Sequence, residues 1–205
     1  MLTHEVDIAF SPQSRVGSLA VSDDGKIIAW SESDQSVNIS VEMEKAQKIS
    51  IESDVKGIFL QDNNLIYADD DFGVKCVDTS GETIWQCEIP GGVSLLQKCQ
   101  DFIAVVDNLG RLSTLSHHGN SLKSFHQFTS IIMISPYSNG VIVVLESGSV
   151  HFFDGQHSVW NRPARGEVGE SITNVGLTAE NKLIIGREGY ALVPGEEEAL
   201  ELEVW

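Results

Sequence analysis

Apolar residues recur along this chain in short runs that alternate with polar ones, and turns rich in Asp, Asn, Ser and Gly separate the runs. A period of two places successive side chains on opposite faces of a strand, so the pattern predicts an all-β protein. Residues 4–10 read as an extra N-terminal strand closed by Pro12, since proline cannot donate to a sheet ladder. Residues 16–21, 27–30 and 37–41 follow as strands, with Asp23-Asp24-Gly25 as the first hairpin turn. Residues 40–50 are too short for a stable isolated helix, so a hairpin around Glu44-Lys45 into a fourth strand through Ile49 and Ile51 is preferred.

The same four-strand order returns four times. Strands are predicted at 57–60, 65–68, 74–77 and 83–89, then at 94–97, 102–106, 111–115 and 122–128. A further set falls at 131–134, 141–145, 150–153 and 158–161, and a last one at 173–177, 183–185, 190–193 and 200–204. The turn glycines Gly73, Gly110, Gly148 and Gly189 lie 37, 38 and 41 residues apart, and Gln35 stands 38 residues before Gly73. In the last unit, Arg187-Glu188-Gly189 is the predicted turn. Four short strands per period of about 40 residues indicate a β-propeller blade rather than an irregular β-sandwich, the alternative. The second strands are apolar on both sides, as expected where both faces are covered.

The expected organisation is one propeller domain over residues 1–205, with blades near 16–51, 55–90, 93–128, 130–165 and 172–205. Five units can close a ring. The surplus strand at 4–10, beside four strands already counted in the fifth unit, leaves an incomplete arc of a larger ring as the open alternative.

Composition narrows the function classes. Thirty acidic residues against 13 basic ones give a formal net charge of −17, which repels phosphate backbones and anionic lipid. The nearest approach to a basic patch is Arg162 with Arg165, so neither nucleic acid nor membrane is an expected partner. No segment reaches the roughly 20 apolar residues that span a bilayer, and the N-terminus lacks a signal-peptide pattern. A cytoplasmic protein is expected. The cysteines Cys76, Cys87 and Cys99 show no CxxC spacing, and a Cys76–Cys87 bridge across one hairpin stays open.

One segment carries a family likeness. Val77-Asp78-Thr79-Ser80-Gly81-Glu82-Thr83-Ile84-Trp85 resembles the repeat of PQQ-like (quinoprotein-type) β-propellers. Asp154-Gly155 with Trp160 is a degenerate echo, and the third unit offers Gly119 and Phe125. Residues 22–26, followed by 34–39, look more like a WD40 unit without its Gly-His and Trp-Asp dipeptides. The resemblance implies structural roles for Asp78, Gly81 and Trp85: the aspartate and glycine hold a hairpin, and the tryptophan packs between blades. Quinoprotein dehydrogenases of the family bind a cofactor and calcium, and many carry a vicinal cysteine pair that this chain lacks.

Candidate chemistry is sparse. Asp69-Asp70-Asp71 and Glu196-Glu197-Glu198 offer oxygen ligands for a divalent cation, but they lack EF-hand spacing and read as solvated turns. His117 and His118 are adjacent and would point apart in a strand, while His126, His151 and His157 have no ligand-like spacing. Phosphate-loop and nucleophile-elbow motifs are absent from the sequence. No catalytic, metal or cofactor residue is therefore assigned and no cofactor is expected. A non-catalytic protein-interaction scaffold is the leading function, with a ligand-binding propeller enzyme as its rival.

Overall fold

A computed structural model describes residues 11–33, 35–120, 122–125, 128–164, 170–178, 180, 182–189 and 199–204. The expected strand at 4–10, the expected third strand of the last unit at 190–193 and Glu196-Glu197-Glu198 lie outside them.

Nineteen strands are described. They are β1 (Val16–Val21), β2 (Ile27–Glu32), β3 (Ser36–Val41), β4 (Gln47–Ser50), β5 (Val55–Gln61), β6 (Asn64–Asp69), β7 (Gly73–Val77), β8 (Thr83–Glu88), β9 (Val93–Lys98) and β10 (Ile103–Asp107). The chain continues with β11 (Leu112–Leu115), β12 (Leu122–Phe125), β13 (Ile131–Tyr137), β14 (Gly140–Leu145), β15 (Val150–Phe153), β16 (Ser158–Arg162), β17 (Glu170–Leu177), β18 (Leu183–Gly189) and β19 (Ala199–Val204). They form five sheets, with orders β1-β2-β3-β4, β5-β6-β7-β8, β12-β11-β10-β9, β13-β14-β15-β16 and β17-β18-β19. Each sheet is a meander of sequence neighbours, as the repeating pattern predicts.

The hairpin preferred over a helix at 40–50 is present. Glu42 and Met43 take positive φ at its tip, and the Ser40 hydroxyl donates to the Glu44 carbonyl at 2.7 Å.

The last sheet departs from expectation. Arg187-Glu188-Gly189 is not a turn: all three residues continue β18, and Gly189 pairs with Glu170 on one side and Ala199 on the other. β19, expected as the outermost of four strands, pairs directly with β18. Alternation fixes which face a residue occupies, but it carries no information on which strand lies alongside.

The second strands β2, β6, β10 and β14 are buried along almost their whole length on both faces. The fourth strands β4, β8, β12 and β16 are mostly exposed, so each sheet is anchored by its middle and wet at its outer edge. The first strands carry a recurring bulge, with register shifts after Val16, Val55, Ile131 and Ile172. A bulge bends the strand and re-aims the extra side chain.

The chain divides into two compact units, residues 1–96 with 115–122, and residues 97–114 with 123–205. In the first unit β1 lies against β5, and Ile27, Ala29, Val37 and Ile39 pack with Leu60, Leu65, Tyr67 and Val77. In the second unit β13 lies against β17, and Ile142, Val144 and Val150 pack with Ile172, Val175, Leu183 and Ile185. That unit also holds an aromatic cluster centred on the fully buried Phe153. The ring centroids of Phe102, Phe125 and Phe128 lie 6.4, 4.7 and 5.5 Å from that of Phe153, all edge-on. Edge-to-face rings contribute beyond the area they bury.

Truncation of Phe153 to Ala removes the shared partner of three rings. We expect a loss of about 3–5 kcal/mol in urea unfolding, against under about 1 kcal/mol for Val159→Ala on the exposed fourth strand.

Candidate functional site

A buried carboxylate stands at the end of the second strand in the first three sheets: Glu32, Asp69 and Asp107. They lie 37 and 38 residues apart. Burying an anion is costly unless donors surround it, and each of these is surrounded. Glu32 Oε2 accepts the backbone N–H groups of Gln13 (3.0 Å) and Ser14 (2.9 Å) and the Ser14 hydroxyl (3.3 Å). Its Oε1 accepts Trp30 Nε1–H at 2.9 Å and Asn38 Nδ2–H at 3.0 Å. Burial pushes the Glu32 carboxyl upward, but these hydrogen bonds outweigh it and hold the group below its ordinary value of 4.5.

Asp69 Oδ1 accepts the N–H groups of Phe72 (2.6 Å) and Gly73 (3.3 Å), while Lys75 lies 3.4 Å from Oδ2. Asp107 Oδ1 accepts Leu109 and Arg111 N–H at 2.9 Å, and the Arg111 guanidinium sits 2.6 Å from Oδ2 through both Nε and Nη2. Asp69 is therefore not the solvated turn residue that the Asp69-Asp70-Asp71 run implies. Asp70 lies 3.5 Å from Lys56, and Asp71 N–H donates to the Ser53 hydroxyl at 3.3 Å. The triplet is distributed over three different tasks.

Asp69 and Asp107 hold the turns that contain Gly73 and Gly110, whereas Glu32 ties the segment before β1 to β2 and β3. Gly73, Gly110 and Gly148 have φ of +141°, +70° and +83°, and Gln35 has +60° at the matching place. A Cβ on Gly110 would come within 2.8 Å of the Ser130 and Ile131 backbone, whereas one on Gly148 would meet nothing closer than 3.9 Å. Gly110 is thus required twice over, by conformation and by space. The turns also receive the chain on its way out of the sheet: Ile51, Ile89 and Ile131 N–H donate to the carbonyls of Gln35, Phe72 and Gly110.

The second recurring turn joins the third and fourth strands. Asp78 Oδ1 accepts Ser80 N–H (2.8 Å), the Ser80 hydroxyl (2.7 Å) and Glu82 N–H (2.9 Å). The Ser80 hydroxyl and Glu82 amide hold this carboxyl below its ordinary range. Asp154 repeats the arrangement with Gln156 and His157 N–H at 2.8 and 2.7 Å. Ser116 takes the place midway, 38 residues from each, and its hydroxyl accepts Asn120 N–H at 3.2 Å.

The glycines of these turns press on their surroundings. Gly81 faces Ile49, with its nearest carbon 3.2 Å from where a Cβ would stand, and a Cβ on Gly119 would fall onto the Trp85 indole. Trp85 itself pairs with Cys76 across β7 and β8. In the second unit Trp160 pairs with Phe152 and packs on the Ile142–Ile185 cluster, and Gly155 faces the Phe102 ring.

None of the cysteines is bridged: Cys76, Cys87 and Cys99 are all free. Burial pushes the Cys76 and Cys99 thiols up to about 11 and about 12, so both pack as apolar groups. His151 lies between the Ser149 and Ser158 hydroxyls at 3.3 and 3.4 Å with the Phe128 ring edge-on, and burial lowers its pKa. Among the described residues no group of three or more His, Cys, Asp or Glu is placed to hold a metal ion. No described helix is long and apolar enough to cross a membrane.

The first unit also contains a cleft of about 460 Å³ where β1 and β5 begin and β2 ends. Arg15, Glu32, Asp54 and Lys56 supply its charges, and Gly17 and Ser31 part of its floor. No local motif marks it in the sequence. Arg15 and Asp54 come together only because both directly precede a first strand, 39 residues apart.

Two outcomes test this account of the turns. Glu32 is more acidic folded than unfolded, so its contribution is complete above about pH 4.5 and is lost as the pH falls through the lower folded value. Glu32→Gln should therefore cost about 2 kcal/mol at pH 7, and urea titrations of parent and variant should converge toward pH 3. Gly119→Ala should cost about 1–3 kcal/mol, since its φ is +72° and Trp85 fills the space, and should cost more than Gly25→Ala, where no atom lies within 4 Å.

No family model matches the sequence, and no curated protein matches it. Solved structures do resemble it in three dimensions. The β-propeller domain of Swd1 (Cps50) from Myceliophteria thermophila superposes with a TM-score of 0.67 at 11% identity, over 95% of this chain and 72% of that one. The N-terminal domain of Nup159 gives 0.65 at 12% over 94% of this chain, which spans 58% of that domain. The WD40 β-propeller domain of Doa1 gives 0.64 at 11%, over 92% of this chain and 70% of that one. Identities this low establish architecture alone: the five antiparallel sheets are those of a β-propeller.

Proposed function

We propose that this chain is a non-catalytic β-propeller scaffold that binds protein partners in the cytoplasm through the turns between its second and third strands. The observation that carries this reading is the use made of the buried carboxylates. Glu32, Asp69 and Asp107 would be the natural acids, bases or ligands of an active site, yet each is engaged by protein donors: Asp69 and Asp107 by the backbone of the turns that follow them, Glu32 by Gln13, Ser14, Trp30 and Asn38. A group so surrounded is fixed in place with its lone pairs occupied, which suits a rigid loop better than proton transfer. The result in each unit is a buried frame presenting shaped turns, an arrangement suited to docking. One similar structure contains Nup159 with Dbp5 and Gle1, an assembly of several proteins. The repeat itself we assign to the PQQ-like type, on the Asp78 turn and on the seating of Gly119 against Trp85. Acidity of the whole chain favours partners with basic surfaces.

Hydrogen exchange on a complex isolated from native lysate checks the proposal. Amides at 33–35, 70–73, 108–110 and 146–148 should gain protection on binding. Protection confined to the fourth strands, or turnover of a small molecule by the purified chain, would overturn it.

A further inference from the structure

The cleft between β1 and β5 contains two charges that no described residue neutralises. Arg15 and Asp54 both line it, both are exposed, and neither forms an ion pair with the other or with any described residue. The other two charges in the cleft are already engaged. Both Glu32 oxygens are filled by five donors, which leaves no lone pair for a newcomer. Lys56, on the bulge of β5, lies 3.5 Å from Asp70.

The backbones beneath the two open charges are fixed. Ser33 N–H donates to the Arg15 carbonyl at 2.8 Å, and Asp70 N–H donates to the Asp54 carbonyl at 3.1 Å. Each residue is thus held at the matching position of adjacent sheets, so little order has to be gained when a ligand arrives.

We infer that this cleft binds a peptide segment carrying a basic and an acidic side chain close together, the acid on Arg15 and the base on Asp54. The guanidinium can engage a carboxylate through two parallel N–H groups, and the Asp54 carboxylate accepts from an ammonium or guanidinium. A volume of about 460 Å³ accommodates a few side chains rather than a folded domain. Overall charge adds selectivity. A chain of net charge −17 repels a wholly acidic peptide, and it attracts a wholly basic one to every part of its surface. Only a mixed pair satisfies both open groups in one place. The inference rests on the protein-binding role proposed above and specifies the chemistry at one site.

The test uses the full ¹⁵N-labelled chain, titrated with blocked five-residue peptides bearing one lysine and one glutamate two positions apart. Controls bear two lysines, two glutamates or neither. The mixed peptide should shift the amides of residues 15–18, 31–33 and 54–56 saturably, with Kd near ~1 mM, a value natural to so small a contact. Arg15→Gln and Asp54→Asn, both on exposed side chains, should each weaken binding about tenfold, or ~1.4 kcal/mol. The inference fails if no peptide shifts those amides, if the two variants leave binding unchanged, or if the control peptides bind equally well. Saturable shifts confined to the turns at 70–73, 108–110 or 146–148 would sink the cleft and leave the scaffold reading standing. Loss of partner binding at those turns in the exchange experiment, with peptide binding retained, would do the reverse.

Discussion

The structure depends on filling the lone pairs of buried carboxylates with protein donors, which for Asp69 and Asp107 come from the backbone of the turn that follows. In Glu32, Asp69 and Asp107 a carboxyl group is placed at the end of a strand that is itself buried on both faces. Such a group is tolerated only when its lone pairs are filled, and at Asp69 and Asp107 the turn can fill them only in one conformation. The carboxylate thereby dictates the turn, and the turn dictates where the third strand begins. The outgoing chain then bonds to the same turn through Ile51, Ile89 and Ile131. In the second and third sheets, turn geometry and the path to the next sheet thus follow from one buried carboxylate each.

A second device works at the opposite side of the third strand. Asp78, Ser116 and Asp154 hold the outer hairpins with a single side-chain oxygen each. There the anions are wet, and what fixes the hairpin in space is contact: Gly81 on Ile49 and Gly119 on Trp85. Electrostatics therefore governs the inner turns and shape governs the outer ones. The division follows from solvent, since an exposed hydrogen bond contributes little where water competes for it.

Much of the fold was legible in the sequence because it is written in alternation and in glycine spacing. Gly73, Gly110 and Gly148 take positive φ, and Gln35 does the same without being glycine, as its register in the repeat requires. Gly189 shows where this reasoning stops: it keeps the approximate period but lies within β18, because strand propagation there overrides the turn signal. The carboxylates were harder to see. Asp69 is first of three consecutive aspartates, and a run of acids reads as a solvated loop unless the 37- and 38-residue intervals to Glu32 and Asp107 are noticed. The cleft was not legible at all. Arg15 and Asp54 belong to no motif, and only sheet packing brings them to one opening.

Gln35 has a consequence for how freely such a chain can change its letters. A non-glycine residue in the left-handed region costs about 1–2 kcal/mol, and here the pairing of Glu32 with Ser36 and the Ile51 N–H on the Gln35 carbonyl hold the turn in place regardless. The tip of the turn is thus set by the two strands it joins and by the chain that returns to it, and its own identity is nearly free. Loop tips of this kind can drift in sequence while their outline stays constant. A protein built on them keeps its silhouette long after its spelling has ceased to resemble that of its relatives.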